Sequence, residues 1–328
     1  MKTRRECVCF RSLGDELAGT IFLPEAERPV PALILCHGAG DFKENYFEMG
    51  ERLTQSGIAA LALDMHGHGQ SGGERFYVDM REWVADVRAA IDFLQTRPEV
   101  DGTRIAAFGL SSGGTAILEA SLTDTRLKAL IPLDATVHNS LPLAMSLFLK
   151  VLLLLGKLKM RLTNKPLRLS LGKLGGEPRL ASDPAVNREI LDYPRSWEGF
   201  NAFPLPGGEQ AFFVNTLERA PQIHAPTLVL WGEDDQVDPP ETGRLLHSAL
   251  TCKKQLHIIP GNGHVGHRDR HKDKVFALTA DWVLQNLAEA SATACAAAGC
   301  EHGIRNHNGG SGEEAWTGRE MGSPLAVS

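Results

Sequence analysis

The sequence predicts a doubly wound α/β fold, in which helices cover both faces of a mostly parallel sheet. Short apolar runs such as residues 32–36 and 227–231 are typical of strands that are buried on both faces. Helical patterns alternate with these runs along much of the chain, and the alternation indicates strand–helix–strand units. At 328 residues, the chain is long enough for one large domain with an insertion or for two ordinary domains.

The predicted elements follow a regular order. An antiparallel hairpin at residues 6–10 and 17–22 comes first, with Gly14 and Asp15 in its turn. The strands predicted after it are residues 32–36, 58–63, 104–108, 129–134, 227–231 and 254–259. The predicted helices are residues 44–56, 79–96, a segment that starts at 112, 240–250 and 271–290.

This alternation lapses between about residues 135 and 220 and then resumes. We therefore expect residues 1–134 and 221–290 to form the core, with residues 135–220 inserted between two sheet strands as a cap. Residues 291–328 are rich in small and polar residues and lack periodicity, which predicts a disordered C-terminal tail.

Composition narrows the function classes. A net charge of −6 and an isoelectric point near 6.1 provide no basic field for nucleic acid. The six cysteines are scattered without metal-binding spacing, so we expect reduced thiols in a cytoplasmic protein. The first residues lack the apolar region of a signal peptide, and no uncharged apolar run is long enough to predict a membrane-spanning helix.

A nucleophile motif lies between one predicted strand and the helix after it. The residues Gly109-Leu110-Ser111-Ser112-Gly113 follow the strand 104–108. The G-x-S-x-G pattern in this context is typical of a nucleophile elbow, which exposes a serine above the sheet edge on a strained backbone. Glycine is expected on both sides because strand and helix approach too closely for a Cβ atom. Ser111 is therefore the candidate nucleophile.

A serine hydroxyl becomes a good nucleophile only when a base takes its proton and a buried acid orients that base. Three aspartates follow the strand 227–231, at Asp234, Asp235 and Asp238. Ligands of open α/β sheets bind beyond the carboxyl ends of the strands, where these acids lie. We expect Asp235 to be the acid, with Asp234 and Asp238 as alternatives.

The candidate base is His264, in a glycine-flanked loop that follows the strand 254–259. His267 and His271 are alternatives, although both fall at or inside the pattern of the last helix. His37, in an earlier loop, is expected to support that loop by hydrogen bonding rather than to act as the base.

The oxyanion that forms during attack on a carbonyl group needs at least two backbone N–H donors. One is expected from Ser112, at the start of the helix after the nucleophile. The other is expected from Ala39, in the loop His37-Gly38-Ala39-Gly40.

Five motifs carry a resemblance to a known superfamily. They are His37-Gly38-Ala39-Gly40, the D-x-x-G-H-G-x-S stretch at 64–71, Gly109 to Gly113, Gly232 to Asp235, and Gly261 to His264. With these motifs in this order, the chain resembles the α/β-hydrolase superfamily, in its branch of monoacylglycerol lipases, serine aminopeptidases and related esterases. The resemblance covers residues 17–134 and 226–290.

This resemblance implies an eight-stranded, mostly parallel sheet with a helical cap insertion. It also implies Ser111 as nucleophile, Asp235 as acid, His264 as base, and Ala39 and Ser112 as oxyanion-hole donors. The function that follows is a serine hydrolase of carboxylic esters with a hydrophobic acyl part, either a carboxylesterase or a monoacylglycerol-type lipase. Such chemistry needs no metal or organic cofactor.

Other activities stay open because one fold hosts many chemistries. The same triad serves aminopeptidases, amidases and thioesterases. A non-catalytic binding protein of this fold is a more remote alternative. Histidine pairs such as His66 and His68 fit no familiar zinc-site spacing.

The predicted cap contains the most apolar segment of the chain, at residues 141–155. Lysines and arginines continue from Lys150 to Lys173 without an acid among them. This combination is typical of a helix at a membrane interface, so residues 141–173 are expected to allow peripheral membrane contact. The alternative is that the leucines pack on the domain and the cations are solvated. Either arrangement favours a hydrophobic ester as the substrate.

Overall fold

The computed structural model of the protein describes residues 2–138, 142–170, 179–192, 202–205, 207 and 213–297, with side chains up to residue 288. Its strands are β1 (Thr3–Ser12), β2 (Asp15–Pro24), β3 (Val30–Cys36), β4 (Ala59–Leu63), β5 (Val100–Leu110), β6 (Leu127–Leu133), β7 (Leu167–Leu169), β8 (Phe203–Leu205), β9 (Thr227–Gly232) and β10 (Lys254–Ile259). Its α-helices are α1 (Phe47–Gln55), α2 (Met80–Gln95), α3 (Ser112–Ser121), α4 (Leu143–Thr163), α5 (Pro184–Asp192), α6 (Thr216–Arg219), α7 (Pro240–Ala249) and α8 (Lys272–Ala297). Every predicted strand and helix has a counterpart among them.

The first six strands and the last two form one eight-stranded sheet in the order β1-β2-β4-β3-β5-β6-β9-β10. Strand β2 runs antiparallel to β1 and to β4, whereas the neighbours from β4 to β10 pair in parallel. Leu13 and Gly14 both have positive φ, at 51° and 99°, as the tight turn of the first hairpin requires. This topology confirms the predicted mostly parallel, doubly wound sheet.

Helices cover both faces of the sheet because alternate strand residues point to opposite sides. On one face, Ala32, Ile34 and Cys36 pack in a cluster with residues of α2, α3 and α7. On the other face, Leu33 and Leu35 pack with residues of α1 and α8. Burial on both sides explains why the strand sequences are continuously apolar.

Two helix boundaries differ by more than one residue from the predicted ones. The residues Lys43–Tyr46 form a 3₁₀ turn, so α1 begins only at Phe47; such turns are common where an α-helix starts. Helix α8 continues to Ala297, so residues 291–297 of the predicted tail are helical. Their high alanine content favours the helix. The rest of that tail, residues 298–328, lies outside the described residues.

The described chain between β6 and β9 adds no strand to the large sheet. It contains α4, α5 and α6, and the short strands β7 and β8 pair only with each other, antiparallel. A small cluster of Leu153, Phe203 and Leu205 holds α4 against these two strands. The predicted insertion at 135–220 occupies this part of the chain. Its action as a cap stays a prediction, and residues 141 and 171–173 lie outside the described residues.

Two further features bear on the expectations from composition. Of the helices described, none combines the length and the apolar character that crossing a membrane requires.

The cysteines with described side chains, Cys7, Cys9, Cys36 and Cys252, are free thiols. Cys36 is fully buried in β3, and burial raises the pKa of its thiol, which makes this cysteine unreactive.

Candidate active site

Ser111 occupies a sharp turn between β5 and α3. Its backbone has φ 51° and ψ −120°, a conformation that non-glycine residues rarely adopt and that functional sites often contain. The turn is possible because its neighbours lack side chains: a Cβ at Gly109 would overlap the backbone of Gly113, and a Cβ at Gly113 would overlap the His37 carbonyl. Residues 109–113 therefore form the sharp, strained strand-to-helix turn that the sequence predicts, and the role of Ser111 as nucleophile stays a prediction.

Among the described residues, the Ser111 hydroxyl has one weak polar contact. Its Oγ lies 3.5 Å from Thr136 Oγ1, at the outer limit for a hydrogen bond. Thr136 Oγ1 donates its own proton to Asp238 Oδ2 at 2.8 Å, so Ser111 acts as the donor toward Thr136. A contact this long leaves the Ser111 proton available to another acceptor.

The structure brings Asp235 and His264 together, because β9 and β10 are parallel neighbours whose carboxyl ends lie side by side. His264 Nδ1 donates to Asp235 Oδ2 at 2.9 Å, and both side chains are buried. The other oxygen of the carboxylate, Oδ1, accepts the backbone N–H groups of Val237 and Asp238 at 2.8 and 3.1 Å. These bonds fix the carboxylate, which in turn fixes the imidazole ring.

The alternative acids have other partners. Asp234 is exposed and accepts the Ser182 hydroxyl at 3.0 Å. Asp238 is buried and accepts the Thr136 hydroxyl. Burial raises the pKa of Asp238 above that of a solvent-exposed aspartate, so its carboxyl group gains a proton more readily. Among the three acids weighed from the sequence, Asp235 is the one that bonds His264.

The alternative histidines lie apart from this pair. His267 is buried and stacks on the Tyr46 ring, with ring centroids 4.4 Å apart and an interplanar angle of 14°. Burial lowers the pKa of His267 well below its usual range, so this ring is neutral. The backbone N–H of His271 donates to the Asn262 side chain at 2.9 Å, immediately before α8. Neither arrangement resembles an imidazole oriented by a carboxylate.

Asp134, directly after β6, is a fully buried acid that the sequence motifs did not single out. Its Oδ1 accepts the Gly232 N–H at 2.7 Å, at the start of the turn that carries Asp235. Its Oδ2 has no hydrogen-bond partner among the described residues, and a Cβ on Gly266 would lie 3.6 Å from it. Asp134 thus sits between the loops of Asp235 and His264. The sequence does contain one indication of this residue, because Asp134 is an acid directly after an apolar strand.

Burial and the nearby Asp235 carboxylate hold the pKa of Asp134 well above its usual range. The backbone at Asp134 has φ 48°, so the residue is also conformationally strained. A strained, buried and half-satisfied carboxyl group costs stability, and such costs cluster at functional sites.

The charge state of His264 reflects these acids. Burial alone would lower its pKa, but the Asp235 carboxylate opposes burial, with smaller contributions from Asp238 and Asp134. The sum raises the pKa of His264 to about 9. A histidine in this environment binds a proton strongly, which is the property needed to take one from a hydroxyl group.

His37 anchors the loop that contains Ala39. Its Nδ1 donates to the Gly38 carbonyl at 2.7 Å, and its Nε2 accepts the Met65 N–H at 2.9 Å. These two bonds place a ring proton on Nδ1 and leave Nε2 as the acceptor. Both nitrogens are occupied, in agreement with the expected supporting role of His37.

His68 holds the same loop from the β4 side. Its Nδ1 donates to the His66 carbonyl at 2.9 Å, and its Nε2 accepts the Gly40 N–H at 3.0 Å. Burial lowers the pKa of His68 to about 3, so the ring stays neutral. Among the described residues, the amides of Ala39 and Ser112 have no protein acceptor, which leaves both donors available to a bound oxyanion.

A buried ion pair secures the far end of this loop. Lys43 Nζ lies 2.5 Å from Asp64 Oδ2, and both side chains are almost fully buried. Asp64 also accepts the backbone N–H groups of Lys43 and Gln70, at 2.8 and 2.9 Å. The loop after β3 is therefore tied to the loop after β4 by a charge pair, two amides and the histidine contacts.

His66 forms a pair with His68 in the sequence that fits no familiar zinc-site spacing, and in the structure it has a polar partner in Asp86. Its Nδ1 lies 2.5 Å from Asp86 Oδ1, and its backbone N–H donates to Asp86 Oδ2 at 2.8 Å. In the described part of the chain, no group of three or more histidine, cysteine or acidic side chains is arranged to hold a metal ion.

Comparison with known proteins places this chain in a family. The sequence profile of the family described as "Serine aminopeptidase, S33" matches residues 27–271. The monoglyceride lipase homolog of monkeypox virus is 25% identical over 294 residues, which cover 85% of this chain and 98% of the viral protein. Esterase FrsA of Escherichia coli O17:K52:H18 is 28% identical over 276 residues, which cover 84% of this chain and 57% of FrsA.

Among solved structures, the monoacylglycerol lipase of Paleococcus ferrophilus has a TM-score of 0.63 at 22% identity and covers 87% of this chain and 100% of its own. At that identity the likeness shows the fold, which is the α/β-hydrolase fold. The family profile spans most of the chain and includes all five motifs, so the protein is a hydrolase. It follows that the chain belongs to the serine aminopeptidase S33 family of α/β-hydrolases.

Proposed function

We propose that the protein is a serine hydrolase that cleaves carboxylic esters with a hydrophobic acyl part through an acyl-enzyme on Ser111. The observation that carries this proposal is the buried hydrogen bond from His264 Nδ1 to Asp235 Oδ2. It assigns the proton to Nδ1 and leaves Nε2 as the basic nitrogen of the ring. The strained turn at Ser111 and the two available amides of Ala39 and Ser112 supply the other parts.

In this mechanism, Ser111 Oγ attacks the ester carbonyl carbon while His264 Nε2 takes the hydroxyl proton. The amides of Ala39 and Ser112 bind the negative oxygen that forms. When the intermediate collapses, the ester C–O bond breaks and His264 gives its proton to the leaving alcohol. Water, activated by His264, then attacks the acyl-enzyme and releases the acid and free Ser111. Asp235 keeps the ring oriented and stabilises its charged form throughout.

The choice of esters is supported by the names of two relatives and by the burial of two of the acids at the site. Two of the similar proteins are named as a monoglyceride lipase homolog and an esterase. An aminopeptidase needs an accessible acid for the substrate ammonium group. Asp134 and Asp238 are buried and engaged with Gly232 and Thr136, which makes them unsuitable for that task.

Labelling with a fluorophosphonate probe tests the nucleophile. The wild-type protein should be labelled and should turn over p-nitrophenyl esters, and Ser111→Ala should abolish both. Ser121→Ala, at the other end of α3, is the matched control and should retain both. Labelling that persists in Ser111→Ala would refute the proposal.

A substrate panel separates ester hydrolysis from the alternatives on the same triad. Esters of increasing acyl length are compared with aminoacyl anilides and acyl-CoA thioesters at equal concentration. We expect kcat/KM to be highest for an ester with a medium or long acyl chain. A preference for aminoacyl anilides or thioesters would identify an aminopeptidase or a thioesterase instead.

A further inference from the structure

Helix α4 exposes an apolar stripe along its whole length. Its exposed large apolar side chains are between 47 and 86% accessible; they are Leu143, Met145, Leu147, Phe148, Val151, Leu154, Leu155, Leu158 and Leu162. Six of them recur every three or four residues and define the exposed stripe: Leu143, Leu147, Val151, Leu154, Leu158 and Leu162. Side chains at this spacing lie on one face of a helix.

The exposed stripe is not needed to hold α4 on the protein. The buried residues of the helix, Ser146, Leu149, Leu153 and Gly156, have the same spacing but lie on the opposite side. Gly156 lets α4 approach closely, because a Cβ there would come within 3.0 Å of Leu205. One face of α4 therefore packs on β7 and β8, and the other presents leucines to solvent. A contiguous apolar surface of this length marks an interaction site.

Cations border the exposed stripe, and α4 contains no acid. At about 100° per residue, Lys150, Lys157 and Arg161 fall along one edge of the stripe, and Lys159 falls along the other. The helix is thus locally basic, although the whole chain carries a net charge of −6. Apolar side chains between rows of cations suit the boundary between acyl chains and negatively charged headgroups.

The geometry points to α4 as the surface by which this protein docks onto an anionic lipid interface, with the exposed stripe in the acyl region and the bordering cations at the headgroups. A second copy of the chain is a poorer occupant, because pairing two such helices would bring their basic edges together, and α4 itself contains no acid that could offset them. Thr136, next to Ser111, precedes Leu143 by seven residues, so their Cα atoms lie within about 25 Å. Docking would bring the site near the lipid.

Vesicle binding of the full chain tests this inference without reference to catalysis. Vesicles of phosphatidylcholine are compared with vesicles that contain phosphatidylglycerol as well, by co-sedimentation. The wild-type protein should bind the anionic vesicles more tightly than the neutral ones. Leu147→Gln/Leu154→Gln, within the exposed stripe, should weaken binding to the anionic vesicles by about tenfold or more.

Two further variants separate the contributions. Lys157→Gln/Arg161→Gln should weaken binding to anionic vesicles about tenfold and leave binding to neutral vesicles unchanged. Leu245→Gln/Leu284→Gln, which alters exposed leucines on α7 and α8, is the matched control and should bind like wild type. Circular dichroism checks that each variant is folded.

Three outcomes would overturn the inference. The first is the absence of wild-type binding to anionic vesicles, and the second is binding that Leu147→Gln/Leu154→Gln leaves unchanged. The third is a dimer at micromolar concentration in sedimentation velocity that the same variant dissociates, which would make a second copy the occupant. None of these outcomes depends on ester hydrolysis, so this inference and the proposed function fail separately.

Discussion

The two sides of Ser111 hold their histidines in opposite ways. On the side of the β3 and β4 loops, each ring of His37 and His68 donates to a backbone carbonyl and accepts a backbone amide. On the side of the β9 and β10 loops, His264 donates to a carboxylate, and two more acids lie nearby. Burial is similar on both sides, so the partners of each ring make the difference.

The pKa values express this difference. Burial without a carboxylate partner lowers the pKa of His68 to about 3, whereas Asp235 and its neighbours overcome burial and raise the pKa of His264 to about 9. Because the His68 ring stays neutral, it serves only to hold the loop through hydrogen bonds. The His264 ring binds a proton readily, so it can transfer one. The same residue type therefore serves as scaffold on one side and as candidate base on the other.

The largest effect is expected from removing the negative charge beside His264. Asp235→Asn should lower kcat for a p-nitrophenyl ester by about 10⁴, because the amide favours the wrong tautomer of the ring. Asp234→Asn, which alters the exposed neighbour, is the control and should stay near wild type. A loss of less than tenfold in Asp235→Asn would mean that another acid orients His264.

The next largest effect concerns the stability of the loops on the other side. Lys43→Met should lower the free energy of unfolding by about 3–5 kcal/mol, because it leaves the buried Asp64 carboxylate without its cation. Urea denaturation measures the change. The control Lys272→Met removes an exposed pair with Glu48 and should cost at most about 1 kcal/mol. Equal losses in the two variants would show that the Lys43 pair adds nothing beyond a surface contact.

A smaller effect on kcat is expected when the His68 side chain is truncated. His68→Ala removes the acceptor of the Gly40 amide next to Ala39, so kcat should fall about ten- to a hundredfold, less than for direct loss of an oxyanion donor. KM should change little, and the pH profile should keep its midpoint because His68 does not titrate near neutral pH. His224→Ala, on an exposed loop, serves as control. A displaced midpoint would contradict the role of His68 in holding the loop.

The smallest expected effect is on the midpoint of the pH dependence of kcat/KM. A general base works in its neutral form, so kcat/KM should rise with pH through the His264 pKa, with a midpoint above the usual 6.5 and toward 9. Asp134→Asn keeps the shape of a neutral carboxyl group, and we expect it to move this midpoint by less than about half a unit. A downward shift of a full unit or more would show that Asp134 is charged beside His264 in the working enzyme.

Much of the candidate site was predictable because its residues follow strands. The turn at Ser111 is encoded by Gly109 and Gly113, whose absent side chains make the backbone conformation possible. Asp235 and His264 come after apolar strands, and parallel strands bring such residues to one edge. Asp134 also follows an apolar strand, but no local pattern distinguishes a buried acid at a strand end from a solvated one.

Other contacts could not be predicted because they join loops that are distant in sequence. The pair of Lys43 with Asp64 and the bond of His68 to Gly40 depend on how two loops fold toward each other. The direction in which α4 presents its leucines is a similar case, since its sequence is apolar on almost every side. Packing against Leu205 decides which of them are buried.

By itself, the sequence predicted a mostly parallel sheet, the order of strands and helices along the chain, the candidates Ser111 and His264, and the turn that holds the candidate acid. It could do so because apolar periodicity and glycine placement act over a few residues. Tertiary structure alone decided which of three nearby acids meets His264, which histidines stay neutral, and which face of α4 meets solvent. These outcomes depend on burial and on partners supplied by other loops, and burial together with the nearest charge sets the protonation of a buried group.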